Sequence, residues 1–359
     1  MKKIDKPLII SVILLMIISL FMIYSASFVW AEYKFNNPFK YVINQGIFSI
    51  IGLFLLLIVS KINHKIYYNK SSTILLVCII LLILVLIPGL GIVRNGSRSW
   101  FGIGSFSIQP SEFSKLGLII FTSKYLSKSN KFLKDYKKGV FPILFILFLI
   151  FGLIMLEPDF GTGMIIVVTI ISLLYVSGVD MKFFIILFIL GIFGIIGLII
   201  IAPYRMDRIT SFINPWNDPL GTGFQIIQSL YAIGPGGLFG VGYLNSRQKA
   251  FYLPEPQTDF IFSIIAEEFG IIGTLVILSL FGIILYRGIK IALRQQNLFS
   301  KYLAFGLIFQ LIVQVIMNLS VVIGLIPVTG VTLPFMSYGG SSLLTSLIGI
   351  GILLNISKT

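Results

Sequence analysis

Cysteine is nearly absent: Cys78 is the single one in 359 residues and lies inside an apolar run, which excludes an intrachain disulfide and a thiolate metal cluster. Charge is scarce too. Only 11% of residues are charged and 57% are hydrophobic, with a mean hydropathy of +1.01, whereas a soluble domain carries roughly 25% charged residues. Acids are scarcer than bases, 13 against 27, and the one histidine, His64, sits in a Lys-rich stretch where it reads as a solvated surface residue.

Long apolar runs take the place of the missing charge. About 20 such residues cross a bilayer, and segments of that kind fall at 8–30, 41–60, 72–93, 111–127, 140–156, 161–177, 183–202, 259–285, 302–325 and 341–356. The expected fold is therefore an all-α polytopic membrane protein of about ten transmembrane helices, one transmembrane domain over residues 1–359, with a large outer loop at about 202–258 between helices 7 and 8. The Lys2-Lys3 start resembles a signal peptide, but no small-residue cleavage site follows and residues 24–30 form an aromatic interfacial end, so the first run counts as a span.

With the N-terminus inside, ten spans place 18 of the 27 cations and three of the 13 acids on the inner side. This agrees with the positive-inside rule, makes both termini cytoplasmic, and renders a nucleic-acid reading of the basic balance unnecessary. The outer side carries nine cations and ten acids, concentrated in a few segments. One of these, 202–258, is rich in Gly, Pro and Asn, and its apolar stretches 223–233 and 236–241 are expected to form short helices at the interface.

Four outer segments carry the candidate chemistry: 94–115, 157–163, the long loop continuing into 251–270, and 327–342. If they converge, they form one polar chamber. Pro110 and Ser111 start a helix on which Glu112 and Lys115 share a face, an internal ion pair that either neutralises the span or lines a groove. Asp259, after Thr258, stands at the mouth of the eighth span, as an N-cap or as a reactive acid. On a continuous helix Glu267 lies about 12 Å deeper and about 80° around from Asp259, with Glu268 nearly opposite, so the three acids are expected at separate sites. Glu255 is expected to organise the outer loop.

Arg94, Arg98, Arg205, Arg208, Arg247 and Lys249 lie where no topological pressure explains them; they pair with Asp207, Asp218 and Glu255 or present a cationic surface to phosphate. Trp100 and Tyr338 are interfacial aromatics or part of the site. Gly339 to Ser342 suit a turn opening the last helix with a serine cap, and Ser337 and Ser341 join the candidate binding residues. The glycines from Gly234 to Gly242 match no nucleotide motif and read as turns with close packing.

The segments GSRSWFGIGSFSIQPSEFSK, EPDFGTG, RMDRITSFINPWNDPLGTGFQIIQSLYAIGPGGLFGVG, PEPQTDFIFSIIAEEFG and PVTGVTLPFMSYGGSS, in this order, resemble the SEDS family of bacterial shape, elongation, division and sporulation proteins. SRQKAFYLPEPQTDF and TGVTLPFMSYGGSSL are closer to its division and sporulation branch, FtsW and SpoVE, than to RodA. The resemblance implies a peptidoglycan glycosyltransferase of the bacterial cytoplasmic membrane that polymerises lipid II onto a glycan linked to undecaprenyl pyrophosphate, beside a class B penicillin-binding protein. It implies a catalytic role for Asp259, importance for Trp100, and a cavity-lining role for Glu112 and Lys115. Two departures stand out. Ser99 precedes Trp100 where the family often has a second arginine, and Gln257 stands where it commonly has histidine, which removes an imidazole base. The cations would stabilise the departing pyrophosphate, and Mg2+ or Mn2+ on Asp259 is left open. A lipid II flippase and a non-catalytic scaffold are the alternatives.

Overall fold

Ten of the twelve α-helices among the described residues fall on the ten apolar runs. The computed structural model describes residues 5–94, 96–103, 106–129, 133, 135–201, 206, 210, 212–250 and 252–358. The helices are α1 Lys6–Phe35, α2 Lys40–Val59, α3 His64–Leu86, α4 Pro110–Ser129, a single turn α5 Tyr136–Gly139, α6 Phe141–Leu156, α7 Phe160–Val176, α8 Met181–Ile201, α9 Phe224–Ile233, α10 Ile261–Leu293, α11 Leu298–Val322 and α12 Gly340–Ser357. Six of them, α1, α2, α3, α10, α11 and α12, are long and apolar enough to cross a membrane; α6, α7 and the first part of α8 are shorter apolar helices, and α4 interrupts its apolar run with Glu112 and Lys115. The chain is a multi-pass membrane protein.

Local chemistry sets the ends. Asp5 caps α1 by accepting from the Leu8 amide, Asn36 ends it in the left-handed region at φ 51°, and Asp159 caps α7 through the Thr162 amide. One end of the bundle gathers both described termini: Asp5 forms a bidentate pair with Arg287, the shortest contact being 2.6 Å, and Lys358 donates to the Ser60 carbonyl. His64 lies at this end but is not solvated. It is 9% exposed because its amide donates to Asn355 Oδ1 while Asn355 Nδ2 bridges to the Ser60 carbonyl, drawing the α2–α3 turn onto α12.

The opposite end holds the irregular segments. Three strands, β1 Ile92–Arg94, β2 Ser97–Ile103 and β3 Phe106–Ile108, form a small antiparallel sheet in that order, an addition to the expected all-α architecture. Arg94 pairs with Ser97 across the dipeptide Asn95-Gly96, with Gly96 at φ 79°, and Asn-Gly is a strong hairpin signal. Helix α9 forms on the predicted stretch 223–233 and docks through Ser229, whose hydroxyl is 2.6 Å from the Val322 carbonyl and 2.7 Å from Ser263.

Helix α10 is broken at Gly270, φ 61° and ψ −155°. The carbonyls of Glu267 and Glu268 would ordinarily accept from Ile271 and Ile272, four residues on. Here Val241 and Gly242 donate to them, and Ile271 and Ile272 donate to the Gly237 and Leu238 carbonyls. The loop replaces these two helix bonds one for one, so the four backbone groups they free are paired again in an apolar surround. Glycine is required on both sides, since a Cβ on Gly240 would fall on the Glu268 carbonyl and one on Gly270 on the Gly240 amide. In the glycine series Gly236 and Gly240 pack closely against α10, whereas a Cβ on Gly234 or Gly237 would meet nothing within 4 Å, and the stretch 236–241 runs as turns instead of the expected short helix.

Candidate active site

Strand β2 alternates its side chains, and this splits the first motif. Ser97 and Ser99 face the α6–α7 junction, both donating to the Glu157 carbonyl, Ser99 at 3.1 Å. Arg98 turns the other way, its Nη1 3.4 Å from the Leu86 carbonyl. Arg94 lies over the Trp100 ring, 5.7 Å from its centroid, and donates to Ser107 Oγ at 2.9 Å. Trp100 is thus half-buried under a cation.

The sheet leads directly into α4 and α12. The Gln109 amide donates to Ser341 Oγ at 2.9 Å, and Ser341 donates to the Ser107 carbonyl. Gln109 Nε2 and Ser111 Oγ both donate to Asp159 Oδ2, at 2.8 and 3.2 Å. Ser341 is therefore consumed by backbone rather than capping its helix, whose N-cap is Gly339 without a side-chain bond. Ser337 is likewise engaged, accepting from the Leu333 amide at 2.8 Å.

Inside this layer the predicted ion pair forms, with Lys115 Nζ 2.9 Å from Glu112 Oε1 and the two side chains 1% and 8% exposed. Both partners are engaged further. Lys115 donates to Gln314 Oε1, Thr345 donates to Glu112 Oε2, and Gln314 Nε2 reaches Ser342 Oγ and the Thr332 carbonyl, each at 3.0 Å. A buried pair with such partners stands, whereas either charge alone would be strongly unfavourable. Gln314 escapes a reading by apolar runs, although Gln310, Gln314 and Asn318 recur at four-residue spacing, a polar stripe along α11.

Asn318 supplies the link to Asp259. Its Nδ2 donates to the Asp259 and Val331 carbonyls, both at 2.7 Å, while the Tyr338 amide donates to the Gln257 carbonyl at 2.8 Å. Asp259 itself is half-buried and accepts from Thr258 Oγ1 at 2.9 Å. It does not cap α10, since the N-cap position is Phe260. The preceding turn is ordered by the Glu255 carbonyl, which accepts from the Thr258 amide and hydroxyl. All four segments singled out in the sequence are thereby joined at one end of the bundle.

The cations divide unequally. Arg247 is exposed, and Arg94 and Arg98 are half-buried. Lys249 does not join an open cationic surface: it is 4% exposed and pairs with Glu268 at 2.7 Å. Asp218 binds the Thr222 amide and hydroxyl, and among the described residues neither it nor Glu255 forms an ion pair. Arg205, Asp207 and Arg208 lie outside the described residues. Among the described residues no group of three or more His, Cys, Asp or Glu side chains could cage a metal ion.

Glu157 is fully buried with both carboxyl oxygens lacking a hydrogen-bond partner. Burial, reinforced by the charge of Asp159, pushes its carboxyl up to about 9, while burial also raises Asp159 against the opposing Thr162 bonds. The folded state then holds a proton that the unfolded chain releases above the ordinary value of 4.5, so this group's contribution to stability falls as pH rises from there through about 9. Glu157→Gln is expected to flatten that decline; thermal unfolding followed from pH 5 to 9 measures it.

A helical bundle with a polar network buried under its loop-rich end defines an integral membrane protein with a candidate site at that end. The chain belongs to the FtsW/RodA/SpoVE family: the family model described as a cell cycle protein matches residues 5–359. It is 52% identical over 354 residues to the stage V sporulation protein E of Bacillus subtilis, covering 99% of this chain and 97% of that one. It is 42% identical over 356 residues to the probable peptidoglycan glycosyltransferase FtsW of Coxiella burnetii, covering 98% and 96%. Two solved structures share the fold. A chain from a study of a peptidoglycan synthase complex coordinating polymerization and crosslinking matches with a TM-score of 0.79 and 29% identity over 99% of this chain and 97% of that one. The rod shape determining protein RodA of Thermus thermophilus matches with a TM-score of 0.72 and 27% identity over 99% and 96%.

Proposed function

We propose that this chain is a peptidoglycan glycosyltransferase that polymerises lipid II at the outer face of the bacterial cytoplasmic membrane, with both termini cytoplasmic. The observation that carries the reading is the convergence of four polar segments around a half-exposed Asp259 at one end of a membrane bundle. The family relatives supply the reaction class.

In this mechanism the 4-hydroxyl oxygen of lipid II's GlcNAc bonds to the anomeric carbon of the growing strand's terminal sugar. The anomeric carbon–oxygen bond breaks, its electron pair leaving on undecaprenyl pyrophosphate, and Asp259 takes the hydroxyl proton. The configuration inverts. A base of this kind contributes about 10² to 10⁴ in rate, so charge stabilisation of the leaving group must supply more. Arg94, Arg98 and Arg247, with Arg205 and Arg208, remain the pool for that role. Lys249 leaves the pool because its charge is neutralised within the protein, and Lys115 acts through the Glu112 pair. The rings of Trp100 and Tyr338, the latter against Tyr41 at 4.9 Å, offer apolar walls for the sugars.

A bound Mg2+ or Mn2+ would be held by Asp259 and would supply positive charge to the departing pyrophosphate. A class B penicillin-binding protein is the proposed partner, crosslinking the strand made here. Purified protein given lipid II, with and without that partner and with and without a chelator, tests the reading. Glycan strands are expected, and their complete absence under all four conditions would count against it.

A further inference from the structure

We propose that Glu267 and Glu268 are positioning residues for Asp259, two consecutive carboxylates that clamp residues 246–249 against the broken end of α10 and so fix the turn that carries the base. The inference rests on the reading of Asp259 as that base.

Consecutive residues on a helix point about 100° apart, so a single loop reaches both only by wrapping around the helix. Residues 246–249 do this. Glu267 accepts from Ser246 Oγ at 2.5 Å and from the Arg247 amide at 2.8 Å. Glu268 Oε1 accepts from Lys249 Nζ at 2.7 Å, Ser25 Oγ at 2.5 Å and the Ser246 amide at 3.3 Å, which ties the same loop to α1. Both carboxylates are buried, 2% and 0% exposed, so these charge-assisted bonds are little screened by water.

From the clamp the chain passes straight to the base. The Ala250 amide donates to Arg247 and the Leu253 amide to Gln248, and the chain then turns through Glu255 to Thr258 and Asp259. The Asp259 turn is therefore held from two sides, by Asn318 of α11 and by a loop locked to the first half of α10. The backbone exchange at Gly270 gives the loop its register, and the carboxylates hold it there. A positioned base loses rate steeply with displacement, by up to about 100-fold for 1 Å.

The test uses the full chain in complex with its partner. Glu268→Gln, Glu267→Gln, Lys249→Met and the double Glu268→Gln/Lys249→Met are compared with Asp259→Ala for kcat, for KM and for amide hydrogen exchange. Glu268→Gln is expected to lower kcat about 10- to 100-fold with KM changed less than about threefold, and to lose protection at 241–258 while α11 and α12 keep theirs. Removing both charges in the double variant is expected to recover at least about threefold over the worse single, since no lone buried charge remains. Glu267→Gln, which leaves the Lys249 pair intact, gives the same readout should Glu268→Gln fail to fold. Wild-type kcat in both glutamine variants beside an inactive Asp259→Ala overturns the clamp alone, as does lost protection at 241–258 with unchanged kcat. Full activity of Asp259→Ala overturns the reading of the base instead.

Discussion

Asp259→Ala is expected to lower glycan polymerisation about 10² to 10⁴-fold, roughly 3 to 5 kcal/mol of transition-state stabilisation, while leaving the protein folded. The two halves of this expectation have separate causes. The rate falls because the base is lost and the deeper acids cannot replace it: Glu267 and Glu268 are committed to residues 246–249. The fold survives because Asp259 caps no helix and its turn is held through its main-chain carbonyl by Asn318, a bond indifferent to the side chain. Asp259→Glu, retaining the carboxylate on a longer arm, should keep part of the activity. Steady-state polymerisation beside a thermal unfolding curve separates the two effects, and a variant both unstable and inactive would argue for a structural carboxylate.

The second large effect is expected at Lys115. Lys115→Met removes an ammonium that is 1% exposed and leaves the Glu112 carboxylate buried with Thr345 as its remaining side-chain donor. Breaking one side of such a pair costs about 3 to 5 kcal/mol, enough to deplete a marginally stable fold. The double Glu112→Gln/Lys115→Met removes both charges and should recover most of the stability, because the expensive species is the lone charge. Activity then separates the two roles left open by the sequence. A stable, active double variant assigns the pair to neutralising α4, and a stable, inactive one assigns it to the reaction.

Much of this architecture is legible in the residues, for reasons the exceptions make clear. The bilayer imposes a length on apolar runs, so ten helices overlap the runs and six of them are long and apolar enough to cross a membrane, although α3 ends at Leu86 where its run extends to 93, and α4 appears despite its charges because Pro110 and Ser111 mark its start. The sheet of β1, β2 and β3 leaves no trace in the apolar runs, although Asn95-Gly96 signals its hairpin. Gln314 and Asn318 disappear into an apolar window, yet they connect the ion pair and the Asp259 turn to the rest of the site. The separation of Asp259 from the deeper acids holds, but the placing of Glu267 and Glu268 at separate sites assumes an isolated helix. Both grip one loop, because the chain between Gly237 and Lys249 is threaded into the break at Gly270. Lys249 reads as an outer cation for the same reason: a partner 19 residues away is invisible until that loop closes.

The most direct measurement is glycan-strand formation from lipid II in vesicles containing the purified chain and its class B penicillin-binding partner, run beside the Asp259→Asn variant. The account predicts strands from the wild type and, from a folded, partner-bound variant, a rate at least about 100-fold lower. Strands formed by Asp259→Asn at the wild-type rate, or lipid II carried across the bilayer with no strand made by either protein, would contradict it.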